Sequence, residues 1–199
     1  MADDHLTVIT DVGESIKTTI EKNIADLPPN SVSFSSPAEI QKRGKTGVSL
    51  FLYKISENSD LKNQENIQLD SKRMRRFPMT VDLSYLLTPF SQTREAEQII
   101  LGKIMQFFHD NPTLSGSMLK SSLKETGTKE LRVLFDTISL EQLNHLWGTF
   151  HETPYKLSLS YLVTPVVIPS SRTEEDIARV LTKETIFQNI DSNSGSGGK

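Results

Sequence analysis

The chain has 199 residues, no cysteine and a formal net charge of −3. That length suits one domain able to bury its own core. The composition excludes disulfides and thiolate metal sites and gives no global basic field for nucleic acid.

The elements follow in chain order. The start, MADDHLTVITDVGESIKTTIEK, is acidic and periodic. It lacks the basic start and unbroken apolar stretch of an export signal. Leu6, Val8, Ile9, Val12, Ile16, Ile20 and Ile24 recur mostly at helical spacing and predict an amphipathic helix over about residues 4–25, stopped by Pro28 and Pro29. Val32 and Phe34 alternate with serines and predict a short strand, and residues 46–55 (TGVSLFLYKI) a better one. Residues 56–76 are polar, read as an extended loop, and end in the basic cluster Lys72, Arg73, Arg75 and Arg76. A loop of that length inside a domain is commonly functional or disordered. A strand is expected at about 77–88, ended by Thr88-Pro89, then a helix at about 92–110, stopped by Asn111-Pro112. Strands are predicted at roughly 116–123 and 130–137. Ser139-Leu-Glu-Gln142 is a capping box that opens a helix carrying Leu140, Leu143, Leu146, Trp147 and Phe150. A strand over about 156–168 and a helix over about 173–188 complete the order, and SNSGSGGK forms a flexible tail. No apolar run approaches the roughly 18 residues of a membrane helix.

Two of these strands are near-copies. Val81 to Pro89 reads VDLSYLLTP and Leu157 to Pro165 reads LSLSYLVTP, identical at six of nine positions. Each is expected to end at its proline, which has no N–H to continue a ladder. The whole pattern predicts an α+β fold, a mixed or antiparallel sheet with one face covered by helices. A single domain spans 1–190, with the loop at 56–76 inside it and a Gly/Ser tail at 191–199.

Catalytic patterns are missing. No residue set matches G-x-S-x-G, G-x-x-x-x-G-K-[ST] or G-x-G-x-x-G. Gly44-Lys45-Thr46 has the end of a phosphate loop without its leading glycine or strand. None of His5, His109, His145 and His151 reads as sharing a helix face with a second ligand-type side chain. Asp82 stands alone in its strand. The chain is read as no enzyme, with no cofactor and no metal. The basic cluster lacks the aromatic interleaving of a single-strand binder. It reads as a solvated loop balanced by acids of residues 57–70, or as a charged contact that guides docking to an acidic protein surface.

The series LSYLLTPF (83–90), FFHDNPTLSG (107–116), LRVLFDTISLEQLNHLWGTF (131–150) and YKLSLSYLVTPVVI (155–168) resembles one family. It is similar to the N-terminal domain of the cap, or tail-terminator, proteins of extracellular contractile injection systems, of the antifeeding-prophage and virulence-cassette type. The residues that carry the resemblance include Tyr85, Thr88, Pro89, Asn111, Pro112, Trp147, Tyr161 and Pro165, in positions that read as structural. The resemblance implies a fold like phage tail terminators and a six-fold homomeric ring on the distal end of the inner tube. Its partners would be other copies of itself, the tube protein, and the sheath or a second cap, with no nucleic acid and no membrane. It also implies assembly in the bacterial cytoplasm, without a signal peptide, into a particle released outside the cell. Some members of the family are longer, so a grip on the tube, on the sheath or on both stays open. Two other readings remain beside it: a non-enzymatic adaptor that binds peptides at an exposed sheet edge, and the terminator of a contractile phage tail.

Overall fold

The computed structural model describes residues 7–44, 46–61, 67–68, 73–75, 78–151, 153–170 and 175–176. The first helix, α1 (Val8–Asn23), buries Val8, Val12, Ile16 and Ile20, a stripe at four-residue spacing. A short strand β1 (Val32–Ser33) follows, then a helix α2 (Pro37–Arg43). Next come β2 (Gly47–Glu57), the short β3 (Ile67–Gln68) and β4 (Arg73–Arg75), and β5 (Met79–Phe90). The helix α3 (Arg94–Asp110) leads to β6 (Thr113–Ser115), a 3-10 turn at 116–118 and α4 (Ser121–Glu125). The described chain closes with β7 (Glu130–Phe135), α5 (Leu140–Gly148), β8 (Leu159–Ile168) and β9 (Glu175–Asp176).

The main sheet has the order β1-β2-β5-β8-β7-β6. Only the β1–β2 pair is parallel, so the sheet is mixed. Gly47 makes that parallel pair possible. A Cβ there would stand 2.2 Å from the Ser31 carbonyl oxygen, and that carbonyl accepts the Val48 N–H at 3.0 Å. One face carries the principal core: Leu50, Leu83, Tyr85, Leu87, Val163 and Tyr161 against α1 and the Ile100, Ile104 and Phe108 side of α3. The other face is covered too. Leu86, Trp147 and Phe150 are buried there, with Phe51, Tyr53, Ala38 and Leu146 packed on them. The fold is α+β with helices on both faces, where one covered face was expected.

Three local expectations need correcting, and one helix had no expectation at all. Residues 116–123 form no strand. The segment is a 3-10 turn and the start of α4, and Leu119 and Leu123, four apart, both point inward. Residues 37–43, which carried no expectation, form α2 behind a complete capping box of Ser36 and Glu39 with Pro37 at the first position. The expected helix at 173–188 is not what the described part shows, since residues 175–176 are strand β9; the rest lies outside the described residues. Neither proline ends its strand. Pro89 keeps a place opposite Val48, beyond Leu87, the last β5 residue that pairs with β8. Pro165 follows a cis peptide bond, next to the register shift of β5 and β8 between Val81 and Leu83. Each proline sits where a ladder is already interrupted, so its missing N–H removes no bond.

Candidate assembly interface

The two near-copies are neighbours at the centre of the sheet, antiparallel, with Tyr85 opposite Tyr161. Leu83 faces Val163 and Leu87 faces Leu159, so a local two-fold axis passes through the tyrosine pair. Side chains obey it. The Thr164 hydroxyl donates to the Asp82 carboxylate at 2.5 Å. At the symmetric position the Thr88 and Ser158 hydroxyls share a hydrogen bond at 2.8 Å. Asn58 adds to the first group only, donating from Nδ2 to Asp82 at 2.8 Å and to Thr164 at 3.2 Å. Burial pushes the Tyr161 hydroxyl up to about 12 and that of Tyr85 higher still. The Tyr161 ring meets that of Phe108 at a tilt, 5.2 Å between centroids, and that of Phe135 edge to face at 5.7 Å.

The other family-motif residues lie in the frame around this pair. The Asn111 N–H and Nδ2 both donate to the Phe107 carbonyl, closing α3. The Pro112 carbonyl accepts the Val133 N–H at 2.8 Å and ties β7 to the strand start. Trp147 is buried and meets Phe150 and Tyr155 edge to face at 5.5 and 5.3 Å.

The basic cluster is placed in part. Arg73 and Arg75 stand in β4, which pairs with β3 on one side and β9 on the other. The register sets Arg73 opposite Asp176 and Met74 opposite Glu175. Lys72 and Arg76 lie outside the described residues. The segments that make this ribbon leave the main sheet at one end, after β2, before β5 and after β8. Exposed Ile55 and Met79 mark the same end.

The two edges of the main sheet differ. On β1, the outward N–H of Val32 is taken by the Glu21 carboxylate at 3.0 Å. On β6, the antiparallel alternation that gives Leu114 to Leu131 turns the N–H and C=O of Thr113 and Ser115 outward. Beside that edge an apolar hollow of about 310 Å³ is lined by Met105, Phe108, Pro112, Val133 and Phe135. Phe135 is 55% exposed. Sequence reading missed this edge because outward bonding is a matter of pairing, which β6 alone does not declare.

Among the described residues, titratable groups form no charged pocket of catalytic type. Tyr53 bonds Ser160 at 2.8 Å, and both reach the Asp136 carboxylate at 3.4 Å, a network that ties β2 to β8. Burial raises the Tyr53 hydroxyl above its ordinary value. One histidine reading is corrected. Glu141 stands one turn before His145 on α5, at 3.8 Å, although both side chains are more than 80% exposed. Such a pair is worth little. Among the described residues no cluster of three metal-binding side chains occurs, and no helix is long and apolar enough to cross a membrane.

This fold is similar to two solved structures. One is the sheath/tube terminator of the PVC extracellular contractile injection system in its extended state, at a TM-score of 0.61 and 21% identity, covering 92% of this chain and 64% of that one. The other is the tube-terminating cap of the anti-feeding prophage, at a TM-score of 0.59 and 18% identity, covering 89% and 61%. The chain therefore spans less than two thirds of either protein. No curated protein matches it. The model of the Pvc16 N-terminal domain matches residues 11–182. With nearly the whole described fold inside that match, the chain belongs to the Pvc16 N-terminal domain family.

Proposed function

We propose that this protein is a structural, non-enzymatic cap of a contractile injection system. It forms a six-fold ring on the distal end of the inner tube, ends tube growth and holds the last sheath layer. The observation that carries the reading is the family match over 11–182, joined to a fold shared with two terminators. Residues 1–190 act as one domain and the particle is assembled in the cytoplasm. A ring of one chain closes by heterologous contacts, and tube and sheath ends offer strand edges that a cap pairs with. The open β6 edge and the ribbon that holds Arg73 and Arg75 are the contact surfaces. Electron microscopy of particles from cells lacking this protein tests the reading. Tubes of irregular length, or sheaths that do not stay extended, are expected; normal capped particles would reject it.

The free β6 edge also favours a second reading, an adaptor that takes up a single extended peptide without forming a ring. Symmetry separates the two. Six copies per particle end support the cap, and one copy supports the adaptor.

A further inference from the structure

Strand β7 has an open edge of its own, at Phe135. Its residues alternate between two neighbours. The Val133 N–H reaches the Pro112 carbonyl at 2.8 Å on the β6 side, and the Asp136 N–H reaches the Ser160 carbonyl at 2.9 Å on the β8 side. Phe135 falls in step with Val133, so its N–H and C=O both face the β6 side. No described strand stands there. The register of β6, carried on, would set residue 110 opposite Phe135, but residue 110 is the last of α3. Cross-strand partners point to one face. A residue opposite Phe135 therefore shares the face of Phe135 and Tyr161, where the hollow of about 310 Å³ opens between Met105, Phe108 and Pro112. One extended residue can thus close two backbone bonds and fill the hollow. Phe135 and Met105 are 55% and 43% exposed, so both are reached from solvent.

The charges around this slot choose among strands. Helix α3 ends here, with the negative end of its dipole and the exposed Asp110. The Asp136 carboxylate meets the Tyr53 and Ser160 hydroxyls through Oδ2, and Oδ1 takes neither. Arg132, the cation of β7, pairs with Glu130 at 3.8 Å, and His109 lines the hollow. A residue opposite Asp136 shares the face of that carboxylate, and one opposite Leu134 shares the face of a side chain 42% exposed. We propose that the slot takes an antiparallel strand of another protein that reads basic, large apolar, apolar, set opposite Asp136, Phe135 and Leu134 in turn. The edges of a second copy do not match. Its β1 has the Val32 N–H taken by Glu21, and its β6 reads Thr113-Leu114-Ser115, without a cation. The site gives the chemistry of a strand that the cap proposed above takes up, and rests on that reading only for the strand's source.

The probe is a peptide TTKFVTT, capped at both ends and titrated into the full, isotope-labelled chain by amide NMR. A saturable shift of the Phe135 amide is expected. TTKAVTT should bind about tenfold more weakly, since it leaves the hollow empty. TTEFVTT should bind about fivefold more weakly, by a margin that shrinks in salt. Two variants isolate the backbone. Phe135→Ala and Phe135→Pro both lose the ring, and only the second loses the N–H, which the chain's own ladder does not use. Phe135→Pro should therefore bind a labelled TTKFVTT about fivefold to tenfold more weakly than Phe135→Ala, with circular dichroism confirming that both are folded. No saturable shift at Phe135, or equal binding by the two variants, overturns the proposal. Dimers that shield Phe135 without peptide would give the slot to a second copy and overturn it too. The two readings fail separately. Peptide binding at Phe135, beside normal capped particles from cells lacking the protein, overturns the cap and leaves the strand site. Irregular tubes in those cells, with no response at Phe135, overturn the strand site and leave the cap.

Discussion

Strands β5 and β8 share most of their letters, lie side by side and are related by a local two-fold, yet their surroundings differ. Tyr85 is closed in by α1, where Gly13 lets the helix come close. A Cβ at Gly13 would lie 2.9 Å from the Phe34 ring and 3.5 Å from the Tyr85 hydroxyl oxygen. Tyr161 instead leans on the half-exposed Phe135 and borders the hollow beside β6. At one end of the pair Asp82 stands where the other copy has Ser158. Equal strands thus serve unequal ends. The carboxylate end roots the segments that lead to the ribbon, and the hydroxyl end lies away from it.

The sharpest way to break the comparison is to truncate the two tyrosines. Tyr85→Ala should cost about 3–5 kcal/mol, the usual range for a large buried aromatic, and Tyr161→Ala about 2–3 kcal/mol because its site already adjoins a hollow. Midpoints of urea unfolding check this, and equal losses would mean that the two sites are equivalent. Next in size, Asp82→Ala removes hydrogen bonds from Thr164 and Asn58 to a carboxylate and should cost about 2–3 kcal/mol. Ser158→Ala loses a neutral bond and should cost about 1 kcal/mol.

These sites also show what a sequence can declare. The strand pair, the stops at Pro28-Pro29 and Asn111-Pro112, and the Ser139–Gln142 capping box are local signals that packing did not override. The Ser36–Glu39 capping box is equally legible, but the helix behind it is only seven residues long, too short to show a clear apolar period. Leu119 and Leu123 fall inside the strand expected at 116–123 although their four-residue spacing is helical. The prolines misled because a proline's cost depends on whether its missing N–H faces a partner, and that is set by register across the sheet. For the same reason the open β6 edge and the hollow beside it had no signature: both are made by residues far apart in the chain.

A third prediction uses alkaline pH. The Tyr85 and Tyr161 hydroxyls are raised above the ordinary value of 10.0, Tyr161 to about 12. Both forms are neutral below pH 10, so no stability is lost there. Above it the unfolded chain ionises first, and stability falls as pH rises from 10 through about 12. Absorbance of tyrosinate against pH should rise later in the folded chain than in the chain unfolded by urea. Coincident curves would contradict the burial of these two hydroxyls.

The smallest effect concerns the two edges. Glu21→Ala frees the Val32 N–H and should cost about 1 kcal/mol. It should also raise self-association, measured by light scattering. No change in association would show that β1 is too short to pair even when its N–H is free.

That single Glu21 contact has a wider consequence. A molecule with two reactive groups propagates a chain, and one with a single reactive group stops it. With β1 blocked and β6 open, this sheet has one functional side. Whatever strand it joins, no reactive group is left for further growth on that side, as with a monofunctional chain stopper in step-growth polymerisation.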